Sequence, residues 1–241
     1  MRLDRPSKTP TVQFSHSNAL WQAFPELVAG VIHADGLHDR ADVSAALARH
    51  TARAQAQLEG RTESDVPAIQ AWRRAFQRMG LKPTQYRCAS EALLRRLRKE
   101  GDLPRLHPLV DLCNAVSVAH AIPVAALDLQ HIGGNLQVRH ATGSEDYLSF
   151  GGEHEHPEPN EVTFADDAGR SHARRWTNRQ SALSAIQPSS SHVIIVAEAL
   201  HDGATQDVPE LVATLERDLQ AIWGVSTRSA ILTRDAPVFQ C

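Results

Sequence analysis

Residues 161–176, EVTFADDAGRSHARRW, decide the fold class. Two short runs, Glu161–Ala165 and Arg170–Trp176, flank Asp166-Asp167-Ala168-Gly169, a cluster of turn-forming residues, and this pattern predicts a β-hairpin. The same punctuation recurs upstream, where Gly, Asp and Pro separate Ile122–Leu127, Leu136–His140 and Tyr147–Phe150. Downstream, His192–Ala197 is the most apolar run and is expected as a central strand. Leu27–His33 reads as one further buried strand.

Helices are expected on either side of this strand-rich stretch. Asp39–Leu58 is helical by propensity. Pro67–Met79 carries Ile69, Trp72, Phe76 and Met79 at helical spacing, with Pro at its start and Gly80 beyond its end. This spacing buries Trp72 and Phe76 and leaves Arg73, Arg74 and Gln77 outside. A helix over Ser90–Lys99 has Ser90 as its expected N-cap and Glu91 in its first turn. A last helix starts near Asp207, which stands at capping-box spacing from Glu210, and stops at Gly224. Helices, then strands, then a helix make an α+β chain, not an alternating βαβ array.

The chain has 241 residues, is 42% apolar and 22% charged, and carries a net charge of −3. It can therefore bury a full core, and a globally basic nucleic-acid coat protein is excluded. It has no 18-residue apolar run, so no membrane span is expected. Met1–Gln13 has no secretory h-region, and the three cysteines, Cys88, Cys113 and Cys241, form no C-x-x-C pair. A cytoplasmic protein with reduced thiols is expected. Residues 1–18 are assigned to a frayed arm, 19–225 to one domain and 226–241 to a tail.

Thirteen histidines invite a metal assignment, but the densest cluster, His154-Glu155-His156, sits in a Pro-rich loop, and neither H-E-x-x-H nor a Cys–His framework occurs. No metal and no cofactor is expected. The densest polar stretch is Arg174-Arg175-Trp176-Thr177-Asn178-Arg179-Gln180. At a strand end it suits recognition of an anion beside a stacked ring; a solvated edge with one anchoring Trp is the alternative. Asp111, Asn114 and Ser117 recur every three residues in an apolar segment, which places them on one side of a helix, either as a site or as ties to the backbone. Arg87, Arg95, Arg96, Arg98, Lys99 and Arg105 form either a polyanion patch or a solvated face. Neither Cys88 nor Cys113 has a partner suited to a nucleophile.

Six segments in this order carry a resemblance: YRCASEALLRRLR (86–98), HPLVDLCNAVSV (107–118), IPVAALDL (122–129), GGNLQVRHATGSEDYLSFGG (133–152), NEVTFADDAGRSHARRWTNRQ (160–180) and SSSHVIIVAEAL (189–200). The set resembles the editing domain of the phenylalanyl-tRNA synthetase beta subunit, in free-standing form, from about Trp72 to Leu200. The resemblance implies a sheet-rich α+β core of sandwich type with flanking helices. It also implies hydrolysis of a mischarged aminoacyl-tRNA ester by water, with the aminoacylated tRNA end as partner and no obligate protein partner. By position, Asn114, Ser117, Arg175 and Arg179 would orient the ester and its developing charge. Ala125, Asp128, Glu145, Trp176, Asn178 and Gln180 would line the pocket, and Arg87, Arg95, Arg96, Arg98 and Lys99 would meet RNA. A module that binds tRNA or an amino acid without hydrolysis is the alternative.

Two departures from the family pattern bear on specificity. Many synthetase members have histidine where this chain has Ala125. Arg179 stands approximately where the family has a glutamate that reads tyrosine, which implies a different amino acid here.

Overall fold

A computed structural model describes residues 12–241. Two main sheets carry the fold. The first is four-stranded, ordered β11 (Thr227–Leu232), β2 (Val28–Asp35), β10 (His192–Ala199) and β3 (Val124–Asp128), and it is antiparallel throughout. β10 sits inside this sheet, as its apolar run predicts. The second is six-stranded, ordered β12 (Val238–Gln240), β1 (Gln13–His16), β4 (Leu136–His140), β7 (Val162–Asp166), β8 (Ser171–Arg174) and β9 (Arg179–Gln180). The β1–β4 pair is parallel and the other pairs are antiparallel. A small hairpin, β5 (Tyr147–Leu148) and β6 (His154–Glu155), stands beside β8. Residues 161–176 form the β7–β8 hairpin, and the chain is α+β.

Period-two alternation sorts the four-stranded sheet into two faces. Gly30 of β2 faces α6 (Ala204–Trp223), where a Cβ would collide with Val208 and Val212, so glycine is what lets helix and sheet approach this closely. Glu198 and Val196 of β10 point the other way, toward the six-stranded sheet, where Glu198 meets residues from β1 and from the β8–β9 turn. Around these layers pack α1 (Asn18–Ala23), α2 (Ser44–Gln57), α3 (Pro67–Arg78), α4 (Ala89–Glu100) and α5 (Pro108–His120). One contiguous apolar core joins sheets and helices. In α3, Trp72 and Phe76 are buried while Arg74 and Gln77 are exposed. Arg73 departs from this pattern: it is half-buried because it pairs with the buried Glu91.

Several local expectations change. Residues 13–16, assigned to an arm, are strand β1, since Phe14 has a place in the core and the backbone pairs on both sides; the arm's first eleven residues lie outside the described residues. The stretch 226–241, assigned to a tail, supplies β11 and β12 as the edges of the two sheets. Ser90 is not the cap of α4: it lies inside the helix, buried, with Oγ donating to the Ala121 carbonyl, and Cys88 holds the cap position. Asp207 is inside the first turn of α6, behind an N-cap at Gly203, and binds His201 instead of closing a capping box. Among the described residues, no helix is long and apolar enough to cross a membrane.

Candidate functional site

Between the two sheets, at the β3 edge, opens a recess. Its walls come from Pro123 and the β3 residues Val124, Ala125 and Leu127, from Phe164 and Ala173 of the six-stranded sheet, from Val196 and Glu198 of β10, from Ala89 at the start of α4, and from the turn and β9 segment Trp176–Gln180. The recess therefore collects most of the densest polar stretch of the sequence and the β3 segment flanking Ala125.

The turn is strained. Arg175 and Trp176 have φ of +48° and +60°, two successive left-handed residues, neither of them glycine. Such backbone is unfavourable for L side chains and persists only where the surroundings over-determine it. Here the surroundings do so. The Trp176 amide donates to the Val162 carbonyl at 2.7 Å, and the Ala89 amide donates to the Thr177 carbonyl at 2.8 Å. The Arg175 amide donates to Glu161 at 2.8 Å, and the Asn178 side chain donates to the Arg87 carbonyl at 2.7 Å. Strain concentrated beside a recess marks it as a functional candidate.

The recess floor holds a buried carboxylate. Glu198 is 2% exposed, and its Oε1 accepts from the Trp176 indole at 2.8 Å and from His16 Nε2 at 2.7 Å. A charge removed from water needs such donors. Trp176 is itself fully buried, edge-on to Trp72 and Phe24, each at 4.9 Å between ring centroids. Its indole is thus a wall fixed by packing, not a free stacking surface.

Arg179, exposed over much of its side chain, lines the recess. Glu155 receives it through two nitrogens, at 3.1 and 3.2 Å, and its guanidinium lies 5.3 Å from the Tyr147 ring centre. Burial alone would raise the Glu155 carboxyl, but Arg179 and Arg174 outweigh it and hold it below the ordinary range. The β5–β6 hairpin, which supplies Tyr147 and Glu155, is therefore what fixes Arg179. Gln180 donates to the Ala126 carbonyl at 2.8 Å and so ties the turn to β3. The Thr177 hydroxyl has no hydrogen-bond partner among the described residues.

Of the expected site residues, Ala125, Trp176, Asn178, Arg179 and Gln180 line this recess. The others are elsewhere. Asn114 is on α5, outside the lining, and the Ser117 hydroxyl donates to the Ile122 carbonyl at 2.6 Å, tying the end of α5 to the chain that leads into β3. Asp128 is buried and accepts from Gln130 and Ser190. Glu145 caps its own turn, accepting from Thr142, Gly143 and Arg139. Arg175 points to the opposite side, over the Tyr86 ring at 4.7 Å. Arg174 is buried against Glu161 and Glu155.

The basic run is largely committed to carboxylates. Arg87 pairs with Glu91, Arg95 and Arg98 with the buried Glu63, and Arg96 with Glu100. Arg105 pairs with Asp111 at 3.8 Å. Lys99 is exposed on the same helix. Arg95 and Arg98 thus tie α4 to Glu63, whereas Arg87 and Arg96 make local i,i+4 pairs.

Two other groupings resemble chemical sites. Ser184, His172 and Asp166 form a hydrogen-bonded chain at 2.9 and 3.1 Å, but Ser184 and His172 are fully closed to solvent and Asp166 nearly so. In the His154–His156 cluster, whose first two residues form strand β6 and not the expected loop, His154 binds Asp146, His156 donates to the Glu145 carbonyl, and Glu155 is held by arginines, so the three do not converge. Cys88 and Cys113 are buried, and burial pushes both thiols up to about 12, which removes thiolate chemistry at neutral pH.

Sequence reasoning missed Glu198 and His16. Glu198 is one polar residue inside VIIVAEAL, and its outward neighbours gave no sign of a recess. His16 fell in the segment assigned to an arm. An acidic side chain inside the most apolar strand was the available signal.

A family model described as the B3/4 domain matches residues 71–208, more than half of the chain and the whole recess lining. Among solved structures, the crystal structure of an N-terminal fragment of the phenylalanyl-tRNA synthetase beta subunit from Pyrococcus horikoshii is similar at 9% identity and a TM-score of 0.49. The alignment covers 94% of this chain and 53% of that one, so this chain spans about half the length of that fragment. No curated protein matches.

Proposed function

This chain belongs to the B3/4 domain family, and from that premise we propose that it edits mischarged tRNA in trans, hydrolysing the aminoacyl ester with water as nucleophile. The observation that carries this reading is the gathering of Ala125, Trp176, Asn178, Arg179 and Gln180 around one recess, on a strained turn, above the buried Glu198. An aminoacyl ester is already activated, and the ribose hydroxyl of the terminal adenosine can orient or activate the water. The protein then needs to hold the ester and answer its developing negative charge. Arg179, anchored at the recess by Glu155, is the cation placed for that task. The recess takes the amino-acid side chain, with Glu198 and Trp176 as its floor. Asn178 and Gln180 act as positioning residues, since their side chains bond backbone carbonyls of the wall. Asn114, Ser117 and Arg175 have no part in this reading, and the cytoplasm, where charged tRNA is found, is the setting it requires.

A non-catalytic binding module is the second reading. It is favoured by Ala125, which puts a methyl group where an imidazole would stand in many synthetase members, and by the absence of Asn114 and Ser117 from the recess lining. Incubation of the purified protein with a panel of mischarged tRNAs separates the two. Release of amino acid above the buffer rate, with or without chelator, supports editing. Binding of charged tRNA with no release supports the module.

A further inference from the structure

We propose that His33, Asp35 and His192 form a binding site for one divalent transition-metal ion of the zinc type. The site is independent of the recess: His192 and Glu198 stand six positions apart on β10, roughly 20 Å along an extended strand.

The register of the sheet builds the site. In the antiparallel pair β2–β10, His192 stands opposite Asp35 and Ile194 opposite His33. His33 and Asp35, two residues apart, share one face with His192. The atoms these side chains can offer a metal all lie within 4.8 Å of one another. The two imidazoles meet edge-on at 4.8 Å, and His192 Nδ1 bonds Asp35 Oδ1. His33 is 7% exposed, and its Nε2 has no hydrogen-bond partner among the described residues. The atom facing it is Asp35 Oδ2, 3.8 Å away and beyond hydrogen-bond reach. Nε2 thus lacks its partner: an acceptor when it carries the ring proton, a donor or a cation when the proton sits on Nδ1.

Two imidazoles and one carboxylate suit zinc, nickel or copper in preference to magnesium or calcium, which favour oxygen. Around a tetrahedral ion at about 2.1 Å, neighbouring ligand atoms stand roughly 3.4 Å apart. Closing from the present spacing is a matter of side-chain rotation, since the Asp35 side chain is 61% exposed. The solvent side leaves room for water as a fourth ligand.

Arg228 of β11 is the built-in competitor. Its guanidinium lies 3.3 Å from His33 Nδ1 and reaches the Gln240 carbonyl with its other nitrogen. A guanidinium only donates, so it keeps the neutral ring's proton on Nε2. An ion on Nε2 requires that proton on Nδ1 and Arg228 turned away, which its exposed position permits. Composition could not show this site, because its ligands lie 157 residues apart in the chain.

The test is titration of the tag-free full chain with Zn²⁺ by calorimetry and with Co²⁺ by its visible d–d absorption. One ion per chain is expected. His192→Ala and Asp35→Asn, both at exposed or half-exposed positions, should each weaken binding about 10–100-fold or more, the range that even outer ligands command. Arg228→Gln should tighten it. Absence of saturable binding, or equal affinity in wild type, His192→Ala and Asp35→Asn with melting temperatures unchanged, overturns the site. Affinity unmoved by Arg228→Gln overturns His33 Nε2 as a ligand atom.

Discussion

Trp176 donates its indole N–H to the Glu198 carboxylate at 2.8 Å, across the space between the two sheets. Both residues are buried, and they come from the strained turn and from the most apolar strand. The bond therefore locks the recess floor to the core. Trp176→Phe keeps most of the ring but leaves the carboxylate one donor short. A loss of about 1.5–3 kcal/mol is expected, the range for a hydrogen bond to a charged group. Urea unfolding measures it, and an unchanged midpoint would show that His16 alone satisfies Glu198.

Phe76 is fully buried in α3 beside Trp72, with ring centroids 6.1 Å apart. Phe76→Ala should cost about 3–5 kcal/mol through lost transfer energy and the cavity left behind. Gln77→Ala, one residue on and exposed, should be nearly neutral. Equal effects of the two in chemical denaturation would contradict the packing of this helix.

The parts of the fold that sequence disclosed are those with local causes. The helix Pro67–Arg78 shows in its spacing and end residues, the β7–β8 hairpin in its turn, and β10 in its apolar run. What stayed hidden depends on partners far along the chain. β1 is a strand because β4, more than a hundred residues on, offers it a parallel edge. The arginines of α4 looked like a patch because Glu63, their buried partner, is over thirty residues away. The family resemblance brings Ala125 and the Arg179 turn together, and both line the recess. Glu198 is not legible in this way, because its partners Trp176 and His16 are brought to it only by the fold.

Glu145 supplies a pH dependence. Burial alone would raise its carboxyl, but the Thr142 amide and then Arg139 outweigh that and hold it at about 2, against an ordinary 4.5. A depressed carboxyl stabilises the fold above its unfolded value and loses that contribution as pH falls through the folded one. The stability gap between wild type and Glu145→Gln should therefore be full above about pH 4.5 and shrink toward pH 2. Thermal melts across that range test it, and a gap that stays flat would contradict it.

Cys88 and Cys113, with thiols pushed up to about 12 by burial, should resist alkylation in the native protein and react on unfolding. Cys88→Ala and Cys113→Ala, where folded, should leave any deacylation rate unchanged. Loss of turnover in a folded cysteine variant would replace the water mechanism with a covalent one.

In the proposed reading the recess beside Arg179 binds the aminoacyl ester for hydrolysis by water, and a single-turnover measurement tests this. A mischarged tRNA that the wild type deacylates is mixed with excess Arg179→Ala protein, and ester loss is followed beside an unfolding curve. The Arg179 side chain is 41% exposed and its pair with Glu155 is worth about 0–1 kcal/mol, so stability should barely move. The rate should fall on the order of 10²–10³-fold, as for loss of one group that answers a developing oxyanion. A folded Arg179→Ala protein that hydrolyses the ester at the wild-type rate would remove Arg179 from the reaction and with it the proposed role of the recess.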